Sequence, residues 1–356
     1  MPLPLSRPNV MIIRRSAFIW VMSIDSRAAD MLSKGFYKER LEPSECEYLL
    51  TFRDRSPVAN LAISLADRLT RAECGDTGQI CAEIDVSTGP CPCNCRFCSY
   101  AEGVTSARFF EIEDSVLVRY VQELNAFSDV RRISLMTIGD TDIDELARRV
   151  GIVKDTAKRG TQIYVNTRDV TSDECRILKK AGTYGAYHSC RIGEGTDTEI
   201  KEEKRLETID NLVSAGLSVI AGTGPIGPEH SPKELTDAFF KTADRRCCGA
   251  DIYAREPVAG TKFNSIGKMS PSRMSQIRAV FTLATSRYDF PINEPFRGTF
   301  VQGHNVSYAK YDSVKGKDQL YAARRRLFNN GYQRVMRADS GTNDLTLAYL
   351  RQTGSV

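Results

Sequence analysis

Apolar positions change their period along this chain, and the changes predict its elements. Between residues 41 and 74 they recur in steps of three and four. Pro43-Ser44-Glu45 opens one short helical segment, and Val58, Leu61, Ala62, Leu65, Ala66 and Leu69 then share one face. A helical lead-in is therefore expected over residues 41–78. Beyond it, short β-branched runs alternate with amphipathic stretches. Strands are predicted at residues 79–87, 132–138, 162–167, 185–192, 217–223 and 251–255, each followed by a helix. Repeated strand–helix units imply a parallel sheet, and six of them before residue 290 exceed what a small doubly wound domain needs. The expected fold class is α/β, a (β/α)8 TIM-type barrel over residues 79–352 behind an N-terminal helical extension. Residues 299–305 read as its seventh strand and 317–330 as its seventh helix. The eighth strand falls at either 332–337 or 345–350. Pro295, Gly298, Gly303 and Gly316 make residues 294–316 the expected mobile lid.

The first forty residues read as an arm, possibly flexible. Arg14-Arg15 precedes an apolar stretch of only Ala17 to Met22 plus Ile24, too short to cross a bilayer and short even for a signal core. Met11, Met22 and Met31 are alternative starts. A formal net charge of +4 from 49 Lys+Arg and 45 Asp+Glu is too small to argue for nucleic acid, and no basic stripe interleaved with aromatics appears. The eleven cysteines, in a chain long enough to bury a core without staples, favour a reducing compartment. A cytoplasmic location with neither membrane nor nucleic-acid partner is expected.

The densest chemistry lies in residues 87–101, where four cysteines occupy eight positions directly after the first predicted strand. Cys91, Cys95 and Cys98 have the spacing C-x3-C-x2-C, and thiolates this close can wrap one iron–sulfur cube while leaving its fourth iron without a protein ligand. Cys93 is then a spare, since using it with Cys95 and Cys98 would leave a single intervening residue. The competing reading is zinc, which wants a fourth ligand, often in a second Cys-x-x-Cys pair, and none is visible. If the barrel is right, function should collect after the carboxyl ends of strands. Gly139-Asp140-Thr141-Asp142, Asn166-Thr167-Arg168-Asp169, Cys190 to Gly195, and Gly222-Thr223-Gly224-Pro225 all fall there.

The cysteine spacing, with Phe97 just before its last member, resembles the signature of the radical S-adenosylmethionine (SAM) enzymes. The passages Arg191-Ile192-Gly193-Glu194-Gly195-Thr196-Asp197-Thr198, Arg205-Leu206-Glu207-Thr208-Ile209 and Gly224 to His230 are similar to the biotin-synthase branch, over about residues 40–350. The resemblance implies a [4Fe-4S] cluster on Cys91, Cys95 and Cys98 and SAM on the open iron. It also implies a 5′-deoxyadenosyl radical that takes hydrogen from a small-molecule substrate, for sulfur insertion or carbon-skeleton rearrangement in cofactor or metabolite biosynthesis. An electron donor such as flavodoxin or ferredoxin is implied as partner. Asp140 stands where the family places a glutamate for the SAM amino group; its alternative reading is a helix N-cap. Arg205 matches the arginine for the SAM carboxylate, against a plain surface residue. Arg191 and Glu194 would contact ribose and carboxylate, or form a structural ion pair, and Tyr100 would pack on adenine or fill core.

Biotin synthase itself holds a second cluster on cysteines inside the barrel. Val219-Ile220-Ala221-Gly222 supplies none here, which leaves Cys190 as an inward thiol on the fourth strand and Cys247-Cys248 before the sixth. Arg255, Arg297 and Asn305, on late loops, are positioned to grip a carboxylated substrate. Two other readings remain: a non-catalytic iron–sulfur carrier or scaffold, and a radical methylase or thiolase of a larger partner.

Overall fold

The computed structural model describes residues 24–285, 292–293 and 305–345. Eight parallel strands carry the architecture: β1 (Thr77–Asp85), β2 (Val130–Met136), β3 (Gln162–Asn166), β4 (Gly185–Tyr187), β5 (Ser218–Gly222), β6 (Gly249–Asp251), β7 (Ile292–Asn293) and β8 (Val306–Lys310). Each pairs with the next from β1 to β7, and β8 returns to pair with β1 (Cys81↔Tyr308), on the side away from β2 (Cys81↔Arg132). The sheet is thus curled in barrel order. Among the described residues β7 and β8 do not pair, so the ring has a seam there.

β1 shows why this sequence makes a barrel strand. Its pleat sends Ile80, Ala82 and Ile84 outward into an apolar core, and Cys81, Glu83 and Asp85 into the lumen. The outward core fills with the inner faces of α4 (Asp114–Leu124), α5 (Ile143–Thr156), α6 (Ser172–Ala181), α7 (Glu202–Ser214) and α10 (Gly316–Asn329). The helices start where the sequence signals it: Thr171 and Ser231 close capping boxes with Glu174 and Glu234, opening α6 and α8 (Pro232–Ala243).

The lead-in forms a separate outer layer. α1 (Ser26–Phe36), α2 (Pro43–Thr51) and α3 (Pro57–Cys74) pack on α8 and on α9 (Pro271–Thr285), sharing a second apolar core with them. α3 stops at Gly75, whose φ of +58° closes the left-handed cap that turns the chain into β1. Covered on both sides, α9 buries every residue from Met274 to Thr285, polar ones included. Their hydrogen bonds go to neighbouring carbonyls: Gln276 Nε2 donates to Phe52 O at 2.9 Å and Arg278 Nε to Ile252 O at 3.1 Å.

Several expectations need revision. Part of the stretch read as an arm is α1, which buries Ala28, Met31, Leu32 and Gly35; residues 1–23 lie outside the described ones. Of the predicted seventh strand, residues 299–304 lie outside the described ones; the strand that follows β6 among the described residues is at 292–293. It is the two-residue β7, too short to show any period, and β8 begins one residue past the predicted range. The predicted seventh helix is α10, the helix after β8. Residues 332–337 do contain a strand, β9 (Arg334–Met336), but it is an appendage pairing with Thr77 and Gly78 at the start of β1 and, antiparallel, with β10 (Thr342–Asp344). Of the expected lid, residues 294–304 lie outside the described ones, and the remainder is mostly β8 and the turn into α10. Positions 346–350 also lie outside.

Phe281 on α9 stacks on Phe239 of α8 with ring centroids 4.0 Å apart and planes 5° from parallel, both rings fully buried. Phe281→Ala removes that ring from a site clamped between two layers. It is expected to cost about 3–5 kcal/mol, read as a lower midpoint in equilibrium urea unfolding.

Candidate active site

After β1 the chain makes a short ribbon, Ser87–Thr88 against Phe110–Glu111, whose connection is the cysteine loop. The loop is pinned to itself and to the segment that follows β4. Cys91 N donates to Tyr100 O at 2.7 Å and Cys98 N to Cys95 O at 3.0 Å; Arg96 N donates to Asp197 O and Glu199 N to Cys93 O, both at 2.8 Å. Arg96 also pairs with the Asp197 carboxylate at 3.1 Å. Asn94, at φ 45°, turns the loop and caps it by accepting from Glu102 N.

Gly139, just past β2, faces the thiols. A Cβ there would stand 2.2 Å from Cys93 Sγ and 3.1 Å from Cys91 Sγ, so the approach of strand end to sulfur exists only because the residue has no side chain. A hydrogen bond from Cys93 brings the Cys91 thiol down to about 6, and the same bond raises that of Cys93. Burial pushes Cys95 up to about 11 and raises Cys98 as well. Among the described residues no three His, Cys, Asp or Glu side chains gather around a single ion. An iron–sulfur cube is held at separate corners, so it asks for soft thiolates around a space, not convergence on a point. The donor set and the glycine cradle fit such a group.

The loop roofs a cleft of ≈ 250 Å³ lined from the carboxyl ends of the strands, including Met136, Asn166, Tyr187, His188 and Lys310. One wall is an ion network. Arg205, on α7, is buried; its Nη1 lies 3.3 Å from Asp169 Oδ1 and 3.1 Å from His188 Nε2, and its Nε lies 3.6 Å from Glu194 Oε1. Glu194 also takes Arg191 at 3.1 Å and the Thr198 hydroxyl at 2.5 Å. His188 Nε2 and Asp169 Oδ1 are 3.1 Å apart. Burial, helped by the Arg205 and Arg191 charges and only partly opposed by Asp169, takes His188 down to about 4. The imidazole is therefore neutral near pH 7, and its Nε2, facing both Asp169 Oδ1 and Arg205 Nη1, donates to the first or accepts from the second according to the tautomer. Asp169 is pushed up by burial but held below its usual range by the His188 hydrogen bond and the Arg205 charge. The Thr167 hydroxyl is buried beside the cleft without a protein partner, a group that a polar ligand would satisfy.

The structure thus brings Cys91, Cys93, Cys95, Cys98, Tyr100, Arg191 and Arg205 to one cleft. Glu194 stands behind it, its side chain fully buried and engaged with Arg191 and Arg205. Asp140 is exposed and does not line the cleft, and the N-cap of α5 is Asp142. His188 and Asp169 join the site with roles the sequence did not suggest: a half-buried acid beside a buried base reads as two ordinary rim residues. Cys190 is not inward; it packs in the helix-side core. Arg255 is held by the Glu229 carboxylate (Nη2–Oε2 2.8 Å), and the Asn305 amide donates to Thr77 O, so neither is poised for a substrate. Arg297 lies outside the described residues.

No family model matches the chain. The biotin synthase of Acetivibrio thermocellus is 26% identical over 230 residues, 62% of this chain and 70% of that protein. That of Microcystis aeruginosa is 24% identical over 259 residues, 68% and 70% of the two. In fold, the [FeFe]-hydrogenase maturase HydG superposes with a TM-score of 0.73 at 17% identity over 87% of this chain and 76% of the maturase. Methylornithine synthase (PylB) gives the same score at 15% identity over 87% and 98%. In sequence the chain is similar to biotin synthases, and it shares its fold with HydG and methylornithine synthase.

The buried neutral His188 has a measurable consequence. Its folded value lies below its unfolded one, so the unfolded chain binds the extra proton first and stability falls as pH drops from about 6.5 to about 4. The loss attributable to this ring is about 3 kcal/mol. His188→Gln keeps a donor toward Asp169 but cannot titrate; urea unfolding at pH 7 and at pH 4.5 should show a smaller acid loss in the variant than in the parent.

Proposed function

From this kinship we propose that the chain is a radical SAM enzyme acting on a small molecule held in the barrel lumen, in biosynthesis of a cofactor or unusual metabolite. The observation that carries the reading is the cysteine loop at the carboxyl end of β1, folded against the side-chain-free Gly139 and facing a wall of buried arginines. Cys91, Cys95 and Cys98 would hold a [4Fe-4S] cluster, with SAM on its open iron. Bound there, cluster and nucleotide supply one-electron cleavage of the sulfonium and a 5′-deoxyadenosyl radical that takes hydrogen from the substrate.

The protein's own groups position and exclude. Arg205 offers a planar guanidinium for the SAM carboxylate, and Asp169 and His188 fix its orientation. Because His188 is neutral, it adds no third cation to a wall that already holds two arginines. Arg191, braced by Glu194, borders the same space, and Tyr100 lies against the loop beside Cys98. Thr167 offers its hydroxyl to the ribose side. Asp140, exposed and outside the cleft lining, would have to turn inward to reach the SAM amino group. Sulfur insertion and carbon-skeleton rearrangement remain the two reaction types in view. The electron would come from a small donor such as flavodoxin or ferredoxin.

Anaerobic reconstitution with iron and sulfide should load about four irons per chain, and the reduced protein should convert SAM to 5′-deoxyadenosine. Cys91→Ala, Cys95→Ala and Cys98→Ala should each lose the cluster's visible absorbance and the cleavage; Cys93→Ala should keep both. A loaded, reduced protein that leaves SAM intact would be a carrier instead. Retention of the cluster in the Cys91 variant with loss in the Cys93 variant would reassign the ligands.

A further inference from the structure

Below the cleft the lumen is polar. Arg132, an inward residue of β2, stands four residues before Met136, which lines the cleft, so about 13 Å of strand separates them. Its guanidinium carbon lies 5.1 Å from the Tyr164 ring centroid, over the ring, and its electrostatic neighbours come from three other parts of the wall: Cys81 on β1, Tyr308 on β8 and Cys248 just before β6. These neighbours are neutral at pH 7. Burial raises each of Tyr164, Tyr308, Cys81 and Cys248 above its ordinary value. Nε donates to Gln162 Oε1 at 3.3 Å, while Nη1 is buried with no hydrogen-bond partner. Among the described residues no carboxylate pairs with this cation. Arg132 as a residue is half-buried, so the unmet requirement is that of the buried Nη1, a donor that a ligand would satisfy.

We propose that Arg132 is the anchor for a carboxylate of the substrate, which lies along the barrel axis with its acid end on the lumen floor and its reacting carbon under the cysteine loop. One arginine with a free edge matches the two oxygens of a carboxylate, and the Tyr164 and Tyr308 side chains stand in the same group around it. A phosphate would bring nearly twice the charge to a floor that, among the described residues, offers one cation and no helix N-terminus. This names the substrate class within the function proposed above, and so rests on it for the chemistry but not for the binding.

The test is thermal unfolding of the full, anaerobically reconstituted chain with sodium acetate as the probe, at constant ionic strength set with chloride. Acetate at several times its dissociation constant should raise the parent midpoint by about 2 °C, and Arg132→Met should abolish the rise. Without acetate, Arg132→Met should unfold no lower than the parent, since the buried Nη1 has no partner to lose and an apolar side chain of similar length takes its place. A variant that melts several degrees lower while keeping the acetate response would make Arg132 a structural residue and overturn the proposal. So would stabilisation of the parent by inorganic phosphate and not by acetate. Neither readout uses SAM, so a failure here leaves SAM cleavage standing, and a failure of cleavage leaves the anion site standing.

Discussion

The seating of β1 between two neighbours is the constraint on which the rim depends. It is hydrogen-bonded to β2 along one edge and to β8 and β9 along the other, so neither its position nor its facing can slip without turning Ile80, Ala82 and Ile84 into the lumen and Cys81, Glu83 and Asp85 into the apolar core. Because that register is fixed, the cysteine loop leaves the sheet at a fixed height. The end of β2 then brings Gly139 against the sulfurs with no adjustable side chain between. Thiols on a free loop would have to be ordered by the metal; here the backbone orders them beforehand.

The wall opposite the loop shows how the fold keeps two arginines dry. Arg191 and Arg205 share Glu194, and Arg205 shares Asp169 with His188. A charged His188 would leave more cations than carboxylates in a buried cluster; burial and the arginines remove its proton instead, and the ring serves as a neutral hydrogen-bonding strut. Buried pairs of this kind add little net stability compared with apolar packing, because desolvation cancels much of the attraction. They do fix geometry. The stability comes from elsewhere, from the helix-side core and from the layer that α1, α2 and α3 lay over α9.

How far the sequence could be read follows from these same forces. The cysteine loop was legible because four thiols in eight residues have few physical uses. The first six strands were legible because their outward residues must be apolar, although β4 and β6 proved to be three residues long where eight and five were expected. β7 was not legible, since two residues carry no period. Arg131 and Arg132 are adjacent in the chain, yet the pleat separates them. Arg131 reaches out to Arg337 O, and Arg132 turns in over Tyr164. The pairing of Asp169, His188 and Arg205 spans β3, β4 and α7, and no local pattern encodes a contact between elements that far apart in the chain.

A barrel of this kind normally fills its lumen with branched apolar side chains in layers and is a packed core. This lumen does not follow that rule. Its walls present Glu83, Arg132, Tyr164, Tyr187 and Tyr308, and burial takes the Glu83 carboxyl up to about 7, with only partial relief from the Lys310 charge. Such a carboxyl is half protonated near neutrality, a state that costs little in the absence of a partner and suits either a donor or an acceptor on whatever enters. Polar groups held at that expense in the middle of a sheet are hard to account for as support, because apolar residues would stabilise it better. They make sense if the sheet divides its labour by face. The outward side carries the free energy of folding, and the inward side is left polar, partly unsatisfied and open at the rim for a ligand to complete.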